Sequence, residues 1–512
     1  MPVVTLHSAA VLGVDAFPVS VEVDVSWGLP TFQIVGLPDG AVRESRDRVR
    51  SAIKNSGYDF PDDRITINLA PADLKKAGSA YDMAVALGIL AASGAIEPAT
   101  AGRYMVAAEL GLDGSLRSVR GILPVAALAL DMVRRGQIAG LIVAPDNVRE
   151  ASIVQGLPCS TAATLAELTA QLRQGALPSA PFPEAPALLE PQVVPDFADV
   201  KGQAAARRAL EVAAAGGHNL LMIGPPGSGK SMLAKRLPGI LPPLTFDEAL
   251  VTTKIHSVAG QLAHGGLIPS RPFRAPHHSI SDAGLIGGGS IPRPGEVSLA
   301  HNGILFLDEL PEFKKQALEV LRQPLEDRCV TISRAALSLT FPARIMLVAA
   351  MNPSPAGGYD AAPEAMERYQ SRISGPLLDR IDVQIEVPAV DYDALSARAA
   401  GESSAAIRER VLAARARQYA RFGAELPAGF CNADMEPAQI EQFCRIGPDA
   451  DRLLRRAVET LGMSARGYAR ILKVARTIAD LAGAADIATA HIAEAVGYRS
   501  LDRRLGTMRP RT

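Results

Sequence analysis

Two short stretches of this chain have residue types and spacing suited to phosphoryl transfer. The apolar run Asn219–Ile223 leads directly into Gly224-Pro225-Pro226-Gly227-Ser228-Gly229-Lys230-Ser231, and the helix-like segment MLAKRL follows. Strand, glycine-rich loop and helix in that order make a phosphate cradle. Gly224, Gly227 and Gly229 let backbone N–H groups turn inward, and the helix N-terminus favours negative charge. Lys230 can then reach the β- and γ-phosphates of ATP, and Ser231 can ligate Mg²⁺. Taken alone, the stretch also reads as an ordinary glycine-rich turn. The second stretch weighs against that. Gly303-Ile-Leu-Phe-Leu-Asp308-Glu309 is an apolar strand ending in two carboxylates, an Asp for the Mg²⁺ shell and a Glu to orient the attacking water.

A third apolar run, Ile345–Ala350, leads to Asn352. Its amide would sit beside the γ-phosphate if this strand lies between the other two; as a turn residue before Pro353 it has a plainer reading. Phosphoryl-transfer sites also use an arginine against developing charge, often one from a neighbouring subunit. Arg380 in ISGPLLDRID and Arg466 in MSARGYARILKVARTIADL are the candidates. An arginine at such a place is equally well a solvated or ion-paired surface group.

The elements that must position these residues divide the chain. Residues 175–195 lie in a proline-rich stretch that reads as a semi-rigid linker. Upstream, over 1–174, β-branched runs (Val19–Val25, Phe32–Val35, Arg64–Asn68, Tyr104–Ala107, Leu141–Ala144) alternate with Ala-rich helical segments at Asp82–Ala92 and Leu123–Val133, an α/β pattern. Downstream, 196–390 repeats strand-then-helix patterning and predicts a parallel-sheet core, and 391–512 predicts a helical lid. In 512 residues, 53 Lys and Arg nearly cancel 54 Asp and Glu, so any nucleic-acid contact has to come from a local basic lining. Four scattered cysteines, Cys159, Cys329, Cys431 and Cys444, offer no disulfide framework or cysteine zinc site. Runs such as Ala84–Ile96 are short of the roughly 20 residues a spanning helix needs, and no basic region precedes an apolar one at the N-terminus. The expectation is a cytoplasmic protein without a membrane segment.

The motifs FADVKGQ, GHNLLMIGPPGSGKS, FRAPHHSISDAGLIGGG, PRPGEVSLAHNGILFLDELPEF, LRQPLE, AMNP, SRISGPLLDRID and SARGYARILKVARTIADL together resemble the magnesium-chelatase-like AAA+ ATPases of the ComM/YifB family. The resemblance covers nearly the whole chain. It implies a P-loop AAA+ core followed by a lid of the magnesium-chelatase C-terminal type. It also implies Lys230 and Ser231 on phosphate and Mg²⁺, Asp308 and Glu309 as the Mg²⁺ and water-activating pair, and Asn352 as sensor. Arg380 becomes the arginine finger and Arg466 the second sensor, both acting on ATP bound between subunits, hence a homo-oligomeric ring, a hexamer. Members of the family are regarded as DNA motors that drive branch migration during natural transformation. Many carry a cysteine-rich stretch after AMNP; here Ser354 and Ala356 stand where cysteines are expected, which argues against a zinc site.

Residues 1–174 resemble the Lon-protease domain. A Lon-type dyad needs a serine and a lysine, but Gly78 falls at the nucleophile position, with Ser79 beside it, and the lysine position falls near Leu123. The expectation is a non-proteolytic scaffold. For single-stranded or branched DNA, two cationic segments suggest pore loops, Arg271, Arg274, His277, His278 and Arg293 in one, and Arg334 near the tip of a hairpin over Val330–Thr340 in the other. The plainer reading is that these groups pair with acidic neighbours. Two other functions compete: a chelatase-type ATPase that remodels a protein partner, and an ATP-dependent protease using Ser79.

Overall fold

The alternation of buried valines at 19, 21, 23 and 25 makes Asp15–Ser26 a strand with one face inward, and it lies near the middle of the larger of the two main sheets in this computed structural model. The structure describes residues 3–175, 177–180, 182, 188–190, 193–262, 265–289, 292–334, 337–355, 357–358, 363–390, 401–423 and 429–499. Much of the expected linker, the 391–400 start of the expected lid, and Ala356 lie outside them.

The chain forms two compact units. The first comprises Met1–Glu190 with Ala249–Pro269, the second Pro191–Glu248 with Ser270–Thr512. The inclusion of Ala249–Pro269 in the first departs from the expected contiguous core over 196–390. Its reason is local: Ser257 Oγ donates to the buried Glu150 carboxylate at 2.5 Å, and Lys254 lies 3.6 Å from Asp15.

In the first unit seven strands form one sheet in the order Thr31–Val35, Arg64–Ala70, Asp15–Ser26, Val4–Leu12, Tyr104–Ala107, Gly140–Val143 and Cys159–Thr161. Arg64–Ala70 and Val4–Leu12 both pair antiparallel with Asp15–Ser26 between them, and the other neighbours pair in parallel. Against the sheet packs Asp82–Ala92, buried at every position, as expected of a helix apolar all round. Its one charged residue, Asp82, is held by Arg48 through Nε at 2.6 Å and Nη2 at 3.1 Å. Ser79 Oγ donates to Glu109, a carboxylate rather than an amine.

In the second unit five strands are all parallel, in the order Phe273–Arg274, Gly303–Leu307, Ile345–Met351, Leu220–Ile223, Val383–Glu386. The three middle strands are buried along almost their whole length, as a sheet covered on both faces requires. The helices Ser404–Phe422, Pro437–Phe443, Pro448–Leu461, Ala465–Leu481 and Thr489–Gly497 follow. Fully buried Asp480 ties Ala465–Leu481 to Ser404–Phe422, accepting from Arg421, Arg476 and Asn432. Among the described residues no helix is long and apolar enough to cross a membrane.

Candidate nucleotide site

Parallel strands present all their carboxyl ends at one edge, and there the loop residues can converge. Ile223 pairs with Met351, and Leu307 with Ala349, so Gly224, Asn352 and Asp308 leave the sheet side by side. The strand ending at Asn352 does lie between the other two. Gly227 and Gly229 take φ of +76° and +92°, which admits glycine most readily, and a Cβ on Gly224 would stand 2.1 Å from the Val387 carbonyl oxygen. The helix Lys230–Arg236 starts immediately after the loop.

Lys230 Nζ donates to the carbonyls of Gly224 and Pro225 at 2.7 and 2.9 Å and to Asn352 Oδ1 at 3.2 Å. Burial holds its amine below the ordinary lysine value, against the pull of Asp308. Ser231 Oγ donates to Asp308 Oδ2 at 2.6 Å, and the other Asp308 oxygen accepts from Glu309 N at 3.0 Å. A hydroxyl and a carboxylate oxygen in contact are the hard donors Mg²⁺ takes alongside phosphate and water, and the inward loop suits a phosphate chain, so these residues fit ATP and Mg²⁺.

Glu309 sits in the left-handed region at φ 53°, at a cost on the order of 1 kcal/mol, and opens the short turn Leu310–Glu312. Its carboxylate is more than half exposed, and His278 Nδ1 lies 3.4 Å from Oε2. Sequence reasoning missed this pair, because no spacing rule links the two residues. It also missed Gln203, whose Nε2 donates to the carbonyls of Ser228 and Pro388 at 3.2 and 2.6 Å; its only trace in the sequence is its place in FADVKGQ.

The two arginines stand elsewhere. Arg380 O accepts from Asn219 Nδ2 at 2.9 Å, at the amino end of the strand whose carboxyl end carries the loop. Four strand residues separate the two ends, about 13 Å. The Arg380 side chain is buried, donating to Arg322 O, Pro376 O and Glu326. Arg466, largely exposed at the start of its helix, lies 3.2 Å from the same Glu326. With Glu326, Asp327 and Glu319, Arg380 lines a groove of about 510 Å³.

The expected DNA contacts fare unevenly. Arg271 departs from that reading, because its guanidinium turns inward onto Glu248 at 3.0 to 3.2 Å and onto Pro242 O and Asn302 O. Arg274 is held by Glu296 in two bonds of 2.6 Å. His278 faces Glu309, while His277 is exposed, bonded to Ser279 Oγ at 2.8 Å. Arg293 is exposed and pairs across a two-residue ladder with Gly288. Arg334 ends one strand of the expected hairpin, Cys329–Arg334 against Leu337–Pro342; its side chain lies outside the described residues.

Family models of the magnesium chelatase subunit ChlI match residues 21–147 and 196–395, and one of its C-terminal part matches 401–499. The chain is 46% identical over 511 residues to the protein YifB of Salmonella typhimurium, covering 99% of this chain and 98% of that one. To the competence protein ComM of Haemophilus influenzae it is 46% identical over 514 residues, 99% of each chain.

The chain belongs to the ComM/YifB family of magnesium-chelatase-like proteins.

Within this ComM/YifB chain the match over 196–395 falls on the five-stranded sheet and its loop and supports an ATPase of the AAA+ kind. A stretch of 165 residues is also 26% identical to a probable DNA helicase MCM9 of Oryza sativa subsp. indica, spanning 32% of this chain and 21% of that one.

Proposed function

We propose that this ComM/YifB-family chain hydrolyses ATP with Mg²⁺ and, as a ring of identical copies, moves on single-stranded or branched DNA to promote branch migration during DNA uptake and recombination in the cytoplasm. Lys230 and the amides from Gly224 to Ser231 hold the phosphates, and Ser231 and Asp308 hold the metal. Glu309 takes the proton of the attacking water and Asn352 fixes the γ-phosphate. The metal, when bound, neutralises charge developing on the phosphates.

One observation carries the reading: Arg380 stands at the end of the sheet away from the loop. It is out of reach of its own phosphates, and to meet those of a neighbour it would leave Glu326, which Arg466 also contacts on that face. A hexamer is the assembly the family resemblance favours. For DNA, support comes from the names of a competence protein and a probable helicase among the relatives. Arg293, His277 and Arg334 are the contacts we retain, and Arg271, Arg274 and His278 serve the protein's own carboxylates. The first unit we read as a Lon-like scaffold without proteolysis, since the Ser79 hydroxyl serves Glu109. The helices from Ser404 onward act as the lid.

The test is ATP hydrolysis by the purified protein with and without single-stranded and branched DNA, Glu309→Gln serving as the inactive control. Stimulation by DNA that the control lacks supports a DNA motor. Robust hydrolysis indifferent to DNA favours the alternative, a chelatase-type ATPase that remodels a protein partner, which the magnesium-chelatase family matches keep in play.

A further inference from the structure

At the amino end of the second unit's sheet, four arginines and two carboxylates line one cavity. The cavity measures about 60 Å³ and is lined by Arg271, Arg328, Arg344, Arg415, Glu248 and Asp434, among others. Gly303 and Ile345, which also line it, are the first residues of their strands, so it lies at the opposite edge from the nucleotide loop. Glu248 is taken by Arg271 in bonds of 3.0 to 3.2 Å. Asp434 is shared by Arg328, at 2.7 Å, and Arg344. Among the described residues Arg415 meets no carboxylate: its Nη2 donates to Ala214 O at 3.0 Å, while its Nε, on a residue 8% exposed, is buried with no hydrogen-bond partner.

A buried guanidinium donor without an acceptor is expensive, and arginine presents its N–H groups in a fork matched to tetrahedral oxyanions. Nearby, His301 is pushed down to about 4, first by burial and next by Arg344, with Glu248 opposing and Arg271 adding to the effect. Gly217 keeps the wall thin: a Cβ there would meet Cys431 Sγ at 2.5 Å and come within 3.5 Å of Arg415 Nη2. One water occupies about 30 Å³ of liquid, so the space admits a single tetrahedral ion.

We infer that this cavity is a binding site for one inorganic oxyanion of the phosphate class, which bridges Arg415 on the helix Ser404–Phe422 to the arginines at the sheet's amino end. The inference does not depend on the function proposed above.

The experiment uses the full chain carrying Lys230→Ala, which weakens the nucleotide loop's own hold on phosphate. Inorganic phosphate is titrated by calorimetry and thermal unfolding at constant ionic strength, with chloride as reference. One saturable phosphate per chain with a rise in Tm is expected, and Arg415→Gln should weaken binding at least tenfold. Stabilisation that tracks ionic strength without saturating overturns the proposal, as does saturable binding that Arg415→Gln leaves intact. Should Arg415→Gln fail to fold, crystals of the Lys230→Ala chain grown with selenate decide: an anomalous peak within hydrogen-bond distance of the Arg415 guanidinium supports the site, and its absence there overturns it.

Discussion

Arg380 and Arg466 end on one carboxylate, that of Glu326, so a single side chain gathers the two cations proposed to meet a neighbour's phosphates. Arg380→Ala should lower kcat by about 10³ while leaving ATP binding within a few-fold, since such an arginine acts mainly on the transition state. Mixing Arg380→Ala chains with Glu309→Gln chains should restore part of the rate, because each supplies what the other lacks. Mixtures that stay inactive at every ratio would count against supply from a neighbour.

The imidazole of His278 faces Glu309 at 3.4 Å while that carboxylate is otherwise open to solvent. His278→Ala should therefore free the base from a fixed orientation and lower kcat by roughly tenfold to a hundredfold, with KM for ATP little changed. A matching rise in KM would indicate a role in nucleotide binding instead.

Acid should unlock Asp434. Burial alone would raise its pKa, yet Arg328 and Arg344 outweigh that and bring it from 3.8 down to about 2. A carboxylate whose folded value is depressed contributes its stability above the unfolded value and loses it as pH falls, here between about pH 4 and pH 2, an effect on the order of 2 kcal/mol. Asp434→Asn should cost about 3 kcal/mol at neutral pH and flatten the stability profile across that window, as followed by denaturant titration at successive pH values.

Gly88 tests the first unit's core. Alanine is favoured over glycine in a helix by about 1 kcal/mol, but here its Cβ would stand 2.5 Å from Val23 Cγ2. Overpacking of that kind costs roughly 1–3 kcal/mol, so Gly88→Ala should lower Tm. Adding Val23→Ala should recover part of the loss, and a calorimetric scan of the three variants checks it.

Local patterns made much of this legible in advance. Asn219–Ile223, Gly303–Leu307 and Ile345–Ala350 read as buried strands, and the residues following them meet at one edge. In the first unit the Ala-rich composition of Asp82–Ala92 marks the helix with its observed bounds. The strand Val4–Leu12 was missed, although it pairs over its whole length with Asp15–Ser26. The inward turn of Arg271 was not readable either, because its carboxylate partner lies in a different element and only the packed sheet brings them together. Motif spacing reports chemistry that neighbours in sequence perform; it is silent about which cations the fold consumes internally.

The opposite placement of the phosphate loop and Arg380 on one sheet has a consequence for how the protein would behave in a tube. Two chains related by a twofold axis would bury like against like, whereas head-to-tail contact joins the arginine end of each to the loop end of the next. On the proposed reading, the rate per chain is then a function of concentration, rising as copies meet and levelling once every loop has a neighbour. Dilution alone would switch hydrolysis off, with no inhibitor bound and no residue changed.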